Sequence, residues 1–425
     1  GDFLAATDFA RRVLTKWSAG AQTQPEDLLS VRRHLGDILR ASGQYREAYQ
    51  LSASTVEEAT VLLGPDHDLT LRAINSHGAD LRAAGEFPAA CNLDSENVTR
   101  HQRVLPASDR RILRAQNNLA VDLVLLGRYV EAAAIHLHVY REGLSVYERD
   151  DHPSVLISRI NHACAVRLSG QYADAAAMAR DTHAASRKQL GVSHPITLFA
   201  ATDLAIALRR EQGGAAVLDE VKDLLGRHRK MRGEENPDSL AATIALANTL
   251  QEAGEFAAAG PLIDVARASY AHVFRPEHPY ALSCVATQAV LGRLGGDART
   301  ARNLDEMALA RLTADLGPDH PQTLGCEMGL ASDLAALGET EAARERGLAV
   351  VARMKRMLPV GHPVTIAAEL NLAVDSHSLG LSTEADAMRA DALTALSEAV
   401  GADHPEVQAA RTRQRLEYTF DPPPT

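Results

Sequence analysis

Small and large apolar residues recur in fixed groups along the chain: Leu119, Ala120 and Leu123; Leu204, Ala205 and Leu208; Leu330, Ala331 and Leu334. Offsets of one and four residues share one face of a helix with 3.6 residues per turn. Each group follows a short anchor, at His67-Asp68, His152-Pro153, His194-Pro195, Asn236-Pro237, His278-Pro279, His320-Pro321, His362-Pro363 and His404-Pro405; Pro25 and Asp109 mark two further starts. From 194 to 404 the step is 42 residues every time. Gly43, Gly85, Gly127, Gly170, Gly254, Gly296, Gly338 and Gly380 each lie 18 residues after an anchor, and an aromatic often follows two residues later (Tyr45, Phe87, Tyr129, Tyr172, Phe256).

The physics of one repeat follows. Proline has its φ preset for the first turn of a helix. Glycine about sixteen residues on ends that helix, where a left-handed residue is needed. A second helix fills the remaining stretch, and Ala eleven residues after the anchor lets it approach closely. One helical pair cannot bury both of its faces, so neighbours must stack into a solenoid. The expected organisation is all-α: a second helix of a leading repeat over 1–24, then nine pairs at 25–66, 67–108, 109–151, 152–193, 194–235, 236–277, 278–319, 320–361 and 362–403. A capping helix at 404–419 and a Pro-rich tail at 420–425 close the chain, for about twenty helices. Gly1 falls 42 residues before Gly43, so the chain is expected to open mid-repeat, as the C-terminal part of a longer protein.

The motifs LGPDHPQTL (316–324), NNLAVDLVLLGRYVEAA (117–133) and NLAVDSHSLG (371–380) resemble a tetratricopeptide repeat (TPR) array of the long kinesin-light-chain type. That resemblance implies a right-handed superhelix whose first helices line a concave, protein-binding groove. LAVDL and the tail Phe420–Thr425 also resemble the TPR region of actinobacterial signalling proteins with an upstream NTPase of the NB-ARC/STAND type. The resemblance implies a bacterial, cytoplasmic protein in which this array is the ligand-sensing arm. A stand-alone adaptor and a self-associating structural solenoid are the alternatives.

Composition narrows the chemistry. With 44 Lys+Arg against 55 Asp+Glu, the net charge of −11 argues against a general nucleic-acid binder. The cysteines at 91, 164, 284 and 326 have no C-x-x-C spacing and fit a reducing compartment. No apolar run reaches the roughly 18–20 residues of a membrane helix. Phosphate-loop, G-x-S-x-G and H-E-x-x-H signatures are absent from the sequence, so neither catalysis nor a cofactor nor a metal site is expected of these residues. The anchor histidines read as loop residues that pack or hydrogen-bond at repeat junctions.

Function is therefore sought on the helix face opposite the core. Offsets of 5, 8, 12, 15 and 16 from each anchor place Arg33, Asp37 and Arg40, then Arg72, Asn75 and Arg82, then Arg114 and Asn117, then Arg167, Arg209 and Arg210 there. Further on the same row turns apolar or small, with Ile244, Val290, Met328, Ser332, Leu370 and Val374. Asn118 and Asn161 are counted with the groove residues although their row, shared with Asp203 and Asn371, lies at the flank between adjacent first helices, where a helix–helix hydrogen bond is the other reading; Asp80, Asp122, Asp333 and Asp375 form a neighbouring row suited to helix junctions. Asn pairs both groups of an extended backbone and Arg forks onto carboxylates. The expected ligand is an acidic or carboxylate-ended protein segment across the first four repeats.

Overall fold

The computed structural model describes residues 3–18 and 24–421. Every regular element among them is helical. The first helices of the repeats are α2 (Pro25–Ala41), α4 (Asp68–Ala83), α6 (Arg110–Leu125), α8 (Pro153–Leu168), α10 (Pro195–Gln212), α12 (Pro237–Glu252), α14 (Pro279–Leu294), α16 (Pro321–Ala336) and α18 (Pro363–Ser378). The second helices are α3 (Tyr45–Leu63), α5 (Phe87–Val104), α7 (Tyr129–Tyr147), α9 (Tyr172–Leu190), α11 (Leu218–Arg232), α13 (Phe256–Val273), α15 (Ala298–Leu316), α17 (Thr340–Met357) and α19 (Ser382–Val400). Helices α1 (Phe3–Ser18) and α20 (Pro405–Arg411) flank them. None of the described helices is long and apolar enough to cross a membrane.

The anchors are N-caps. Seven of them are histidines, each accepting a hydrogen bond at Nδ1 from the backbone N–H two residues on, at 3.1–3.3 Å. Asn236 and Asp109 do the same with a side-chain oxygen, at 3.0 and 2.8 Å. The anchor position thus selects an acceptor for the orphan N–H groups of a helix start, and neutral His, Asn and Asp all qualify. The junction role expected of these histidines has this local cause. Small residues fill the packing between helices: Ala48, Ala90, Ala132, Ala175, Ala259, Ala301 and Ala343 on second helices and Ala120, Ala163, Ala247 and Ala289 on first helices have no exposed surface, and Ala163, Ala176, Ala179 and Ala207 form one cluster. Of the positions read as core, Ala120, Leu123, Ala205, Leu330, Ala331 and Leu334 are buried, whereas Leu119, Leu204 and Leu208 are half-buried.

The helices group into two compact units, residues 1–126 with 135–149, and residues 127–134 with 150–425. In the first unit, α2, α4 and α6 lie side by side as an inner layer, while α3 and α5 each pack between consecutive first helices. In the second unit the inner layer runs α8, α10, α12, α14, α16, α18. That unit closes one superhelical turn on itself. Turn glycines Gly127, Gly170 and Gly213 sit against Pro321, Pro363 and Pro405, so close that an added Cβ would meet the proline rings at 2.3–2.7 Å. His362 completes this contact: its Nε2 donates to the Leu168 carbonyl at 3.1 Å.

Two sequence expectations are corrected. In the fifth repeat the first helix runs two residues further than in its neighbours, to Gln212 with Gly213 as its cap, and a short 3₁₀ turn (Gly214–Ala216) precedes α11. Gly214 lies against α12, where a Cβ would meet the Thr249 carbonyl at 2.5 Å. At the other end the chain leaves the helix at Arg411 rather than 419, with Arg413 at φ 59°, and residues 414–421 carry no regular element. Leu416, Tyr418 and Phe420 alternate with polar residues and have more to bury in the groove than in a terminal helix turn.

Candidate functional site

Arginines at offset 15 do not project freely. Arg40 reaches Asp80 at 2.7 Å, Arg82 reaches Asp122 at 2.8 Å and Arg293 pairs with Asp333. In each case an Arg near the end of one first helix binds the Asp forty residues on, on the next first helix. The two rows form a ladder that stitches the inner layer. Arg82 is further tied to Asp94 at 2.8 Å, whose carboxylate fills the space left by Gly78. Burial pushes the Asp122 carboxyl up to about 8 and the Asp94 carboxyl up as well. Burial opposes the charge on Arg82, but Asp122 and Asp94 outweigh it. Arg167 is likewise buried, 3.2 Å from Asp203. Arg82 and Arg167 are therefore junction residues, a correction to their expected place on an open groove; the cause is that offset 15 faces the next helix.

Other expected residues do gather on the inner layer of the first unit. Arg33 is paired with Asp37 at 2.9 Å, and Asp37 also takes Arg40 at 2.8 Å. Arg72 is exposed and held by Asp68 at 2.8 Å. Arg114 is exposed on α6, with no ion pair among the described residues. Burial lowers the Arg33 pKa; Asp37 opposes this, while Arg114, Arg72 and Arg40 lower it further. Three successive repeats thus bring cations close enough to repel one another. Asn75 accepts from Asn97 at 3.0 Å and from Asn118 at 3.3 Å, a junction network of the kind foreseen for the flank row. Asn117 is half-buried and Asn161 buried.

In the second unit the inner layer is occupied by the chain's own C-terminal segment. Asn371 on α18 donates from Nδ2 to the Leu416 carbonyl at 2.9 Å and accepts from the Leu416 N–H at 2.7 Å. Asn248 on α12 donates to the Phe420 carbonyl at 3.1 Å and to Asp421 Oδ1 at 2.9 Å. Arg210 donates to the Thr419 carbonyl at 2.7 Å, and Arg209 and Arg210 both pair with Asp421. Arg293 Nε meets Glu417 at 3.1 Å. The Tyr418 ring lies on the bare backbone of Gly325. Burial alone would raise the Asp421 carboxyl, but Arg209, Arg210 and Arg167 hold it below the usual range. Ile244, Val290, Met328 and Leu370, read as an exposed apolar face, are all buried in this unit. Beside the segment a cavity of about 650 Å³ remains, lined by Arg209, Arg293, Asp375 and Glu406 among others.

Residues 27–96 match the family model of the tetratricopeptide repeat. TPR repeats are matched over those residues. No curated protein matches the sequence. Among solved structures, nearly identical TPR-like repeats of a kinesin light chain from Podosopora anserina share 26% identity over 48% of this chain and 97% of theirs, with a TM-score of 0.38. BtubC from P. vanneervenii shares 16% identity over 59% of this chain and 93% of its own, at a TM-score of 0.39. A Rap protein, solved in complex with competence and sporulation factor, covers 88% of this chain and 99% of its own at a TM-score of 0.61 and 13% identity; at that identity the likeness is one of fold. The TPR array is thus all-α, as its anchors and glycines required.

Sequence reasoning passed over Arg293, Asn248, Glu417, Tyr418 and Asp421, and placed Asn371 at a helix–helix flank. Arg293 carries the offset of Arg40 and Arg82, so its junction role was legible. The acid-aromatic run Glu417–Asp421 was the signal for the segment, hidden by its division between a capping helix to 419 and a Pro-rich tail from 420.

Proposed function

We propose that this TPR array is a protein- or peptide-binding scaffold, and that the inner layer of the first unit takes an acidic or carboxylate-ended segment. One observation carries the reading: Arg33, Arg72 and Arg114 come from three successive repeats, burial lowers the Arg33 pKa and the charges of Arg114 and Arg72 add to that lowering, while Arg114 has no ion pair among the described residues. Asp37 and Asp68 already answer Arg33 and Arg72, so the charge left for a ligand carboxylate to meet is that of Arg114. The solved Rap complex supports the broader reading, since an array of this fold holds a factor there.

The test is direct. Acidic peptides selected from a library against the wild-type protein bind less than a tenth as tightly to Arg72→Glu/Arg114→Glu, and binding weakens with salt as the Debye length falls from about 10 Å at 0.1 M. Equal affinity of both proteins, independent of salt, refutes the site. The finer reading is a ligand-sensing arm of a larger cytoplasmic signalling protein with an upstream NTPase. It is supported by the sequence resemblance and by four buried, unbridged cysteines. A phosphate-binding loop encoded upstream in the same reading frame is its test.

A further inference from the structure

We propose that the inner layer of the second unit is a second recognition site, specific for an extended segment of the pattern Glu-Tyr-x-Phe-Asp, and that the chain's own residues 417–421 occupy it as an internal competitor. This site uses none of the residues of the cation cluster in the first unit, so either proposal can fail alone.

The contacts are those of a receptor with a ligand. Asn371 satisfies both backbone groups of one residue, Leu416, which fixes the segment extended without reading its side chain. Side chains are then read in register. Arg293 takes the acid Glu417, Gly325 leaves room for the flat ring of Tyr418, and Arg209 with Arg210 takes Asp421. Two acids four residues apart meet cations on α14 and α10, so the groove discriminates by spacing as well as by charge.

The fit is incomplete. Asn248 Oδ1 and the Nε atoms of Arg209 and Arg167 are buried without a hydrogen-bond partner among the described residues. Orphaned buried polar atoms favour any occupant that pairs them. A cavity of about 650 Å³ alongside leaves space for such an occupant. The segment itself belongs to no helix, and it follows α20 through the left-handed Arg413. The segment is held by side-chain contacts, the two amide clamps and the packing of Leu416 and Tyr418 against the core, and among the described residues, positions 415–421 make no backbone-to-backbone hydrogen bond to the stack.

The probe is a labelled peptide of residues 413–425, titrated into the full chain. Glu417→Arg/Asp421→Arg in the protein reverses both recognised charges of the internal segment and leaves every groove residue in place. The peptide is expected to bind this variant about 10- to 100-fold more tightly than wild type, as for a groove that is otherwise free only a few per cent of the time. Adding Asn371→Ala abolishes that gain, and a peptide with Lys at both acid positions does not bind. Absence of binding to a variant that keeps its helical circular dichroism overturns the proposal. A second measurement needs no variant: in wild type, the Leu416 amide exchanges its hydrogen faster than buried amides of α16 and α18, by opening of the segment alone. Exchange of Leu416 only through global unfolding shows a fixed part of the core and overturns the proposal independently.

Discussion

Arg415 pairs with Asp375 at the junction of α16 and α18, where α16 offers Ala335 in place of the ladder arginine. The C-terminal segment thus supplies from outside the helices the cation that Arg40, Arg82 and Arg293 supply from within, and Arg415 Nε also reaches Ser332 at 3.1 Å. A repeat array depends on its nearest-neighbour interfaces. At the junctions it joins, the ladder adds a charged, directional contact to the packing of the helices.

Removing a ladder cation strands its acids. Arg82→Ala leaves Asp94 and Asp122 buried together, with Asp122 already pushed up to about 8. The expected loss is about 3–5 kcal/mol, the usual range for breaking a buried pair from one side. Urea unfolding followed at 222 nm measures it. A loss under about 1 kcal/mol means the pair is not the junction contact described.

The turn closure isolates a steric effect. Gly170 and Gly380 both have φ above 80°, so Ala at either position carries the same left-handed strain of about 1–2 kcal/mol. At Gly170, however, a Cβ meets Pro363 at 2.7 Å and His362 at 2.9 Å, while at Gly380 nothing lies within 4 Å. Gly170→Ala is expected to destabilise by at least about 1 kcal/mol more than Gly380→Ala, since overpacking costs about 1–3 kcal/mol. Equal midpoints in thermal unfolding argue against the contact between Gly170 and Pro363.

Acid sensitivity follows from the histidine cap at 362. Burial lowers its pKa from the ordinary 6.5 to about 4, and protonation would turn its Nδ1 acceptor into a donor facing the Val364 N–H. Above pH 6.5 both folded and unfolded chains leave it neutral. As pH falls from 6.5 toward 4 the unfolded chain binds a proton that the folded chain does not, so stability falls by about 3 kcal/mol and then levels off. His362→Asn keeps an acceptor at the cap, as Asn236 does, and loses the titration. Unfolding free energies at pH 7 and 4.5 are expected to differ by about 2 kcal/mol less in the variant than in wild type; an identical pH dependence removes His362 as the cause.

A charge in the alanine seam has the plainest consequence. Ala120 has no exposed surface on α6. Ala120→Asp buries an unpaired carboxylate and is expected to cost several kcal/mol in the first unit. Unchanged thermal unfolding contradicts the core phase.

How much was legible in the sequence differs by contact range. The period of 42 residues, Pro at each helix start, Gly at each turn and the apolar offsets of Leu119, Ala120 and Leu123 are local facts, set by φ, by orphan N–H groups and by the 3.6-residue turn, so one chain read alone yields the helices and their pairing. The same periodicity told which face was core but not which helix each remaining face would meet. Arg82 and Arg167 looked like groove residues because an angle about one helix axis cannot say that the next first helix stands there. The closing of Gly170 onto Pro363 and the docking of Asp421 on Arg209 join residues about two hundred positions apart. Those contacts depend on the accumulated rotation of many repeats, and a small angle per repeat, invisible in any one of them, decides where the chain meets itself. The sequence by itself therefore determined the repeat; only the tertiary structure decided that one inner face keeps crowded cations while the other is filled by the chain's own end.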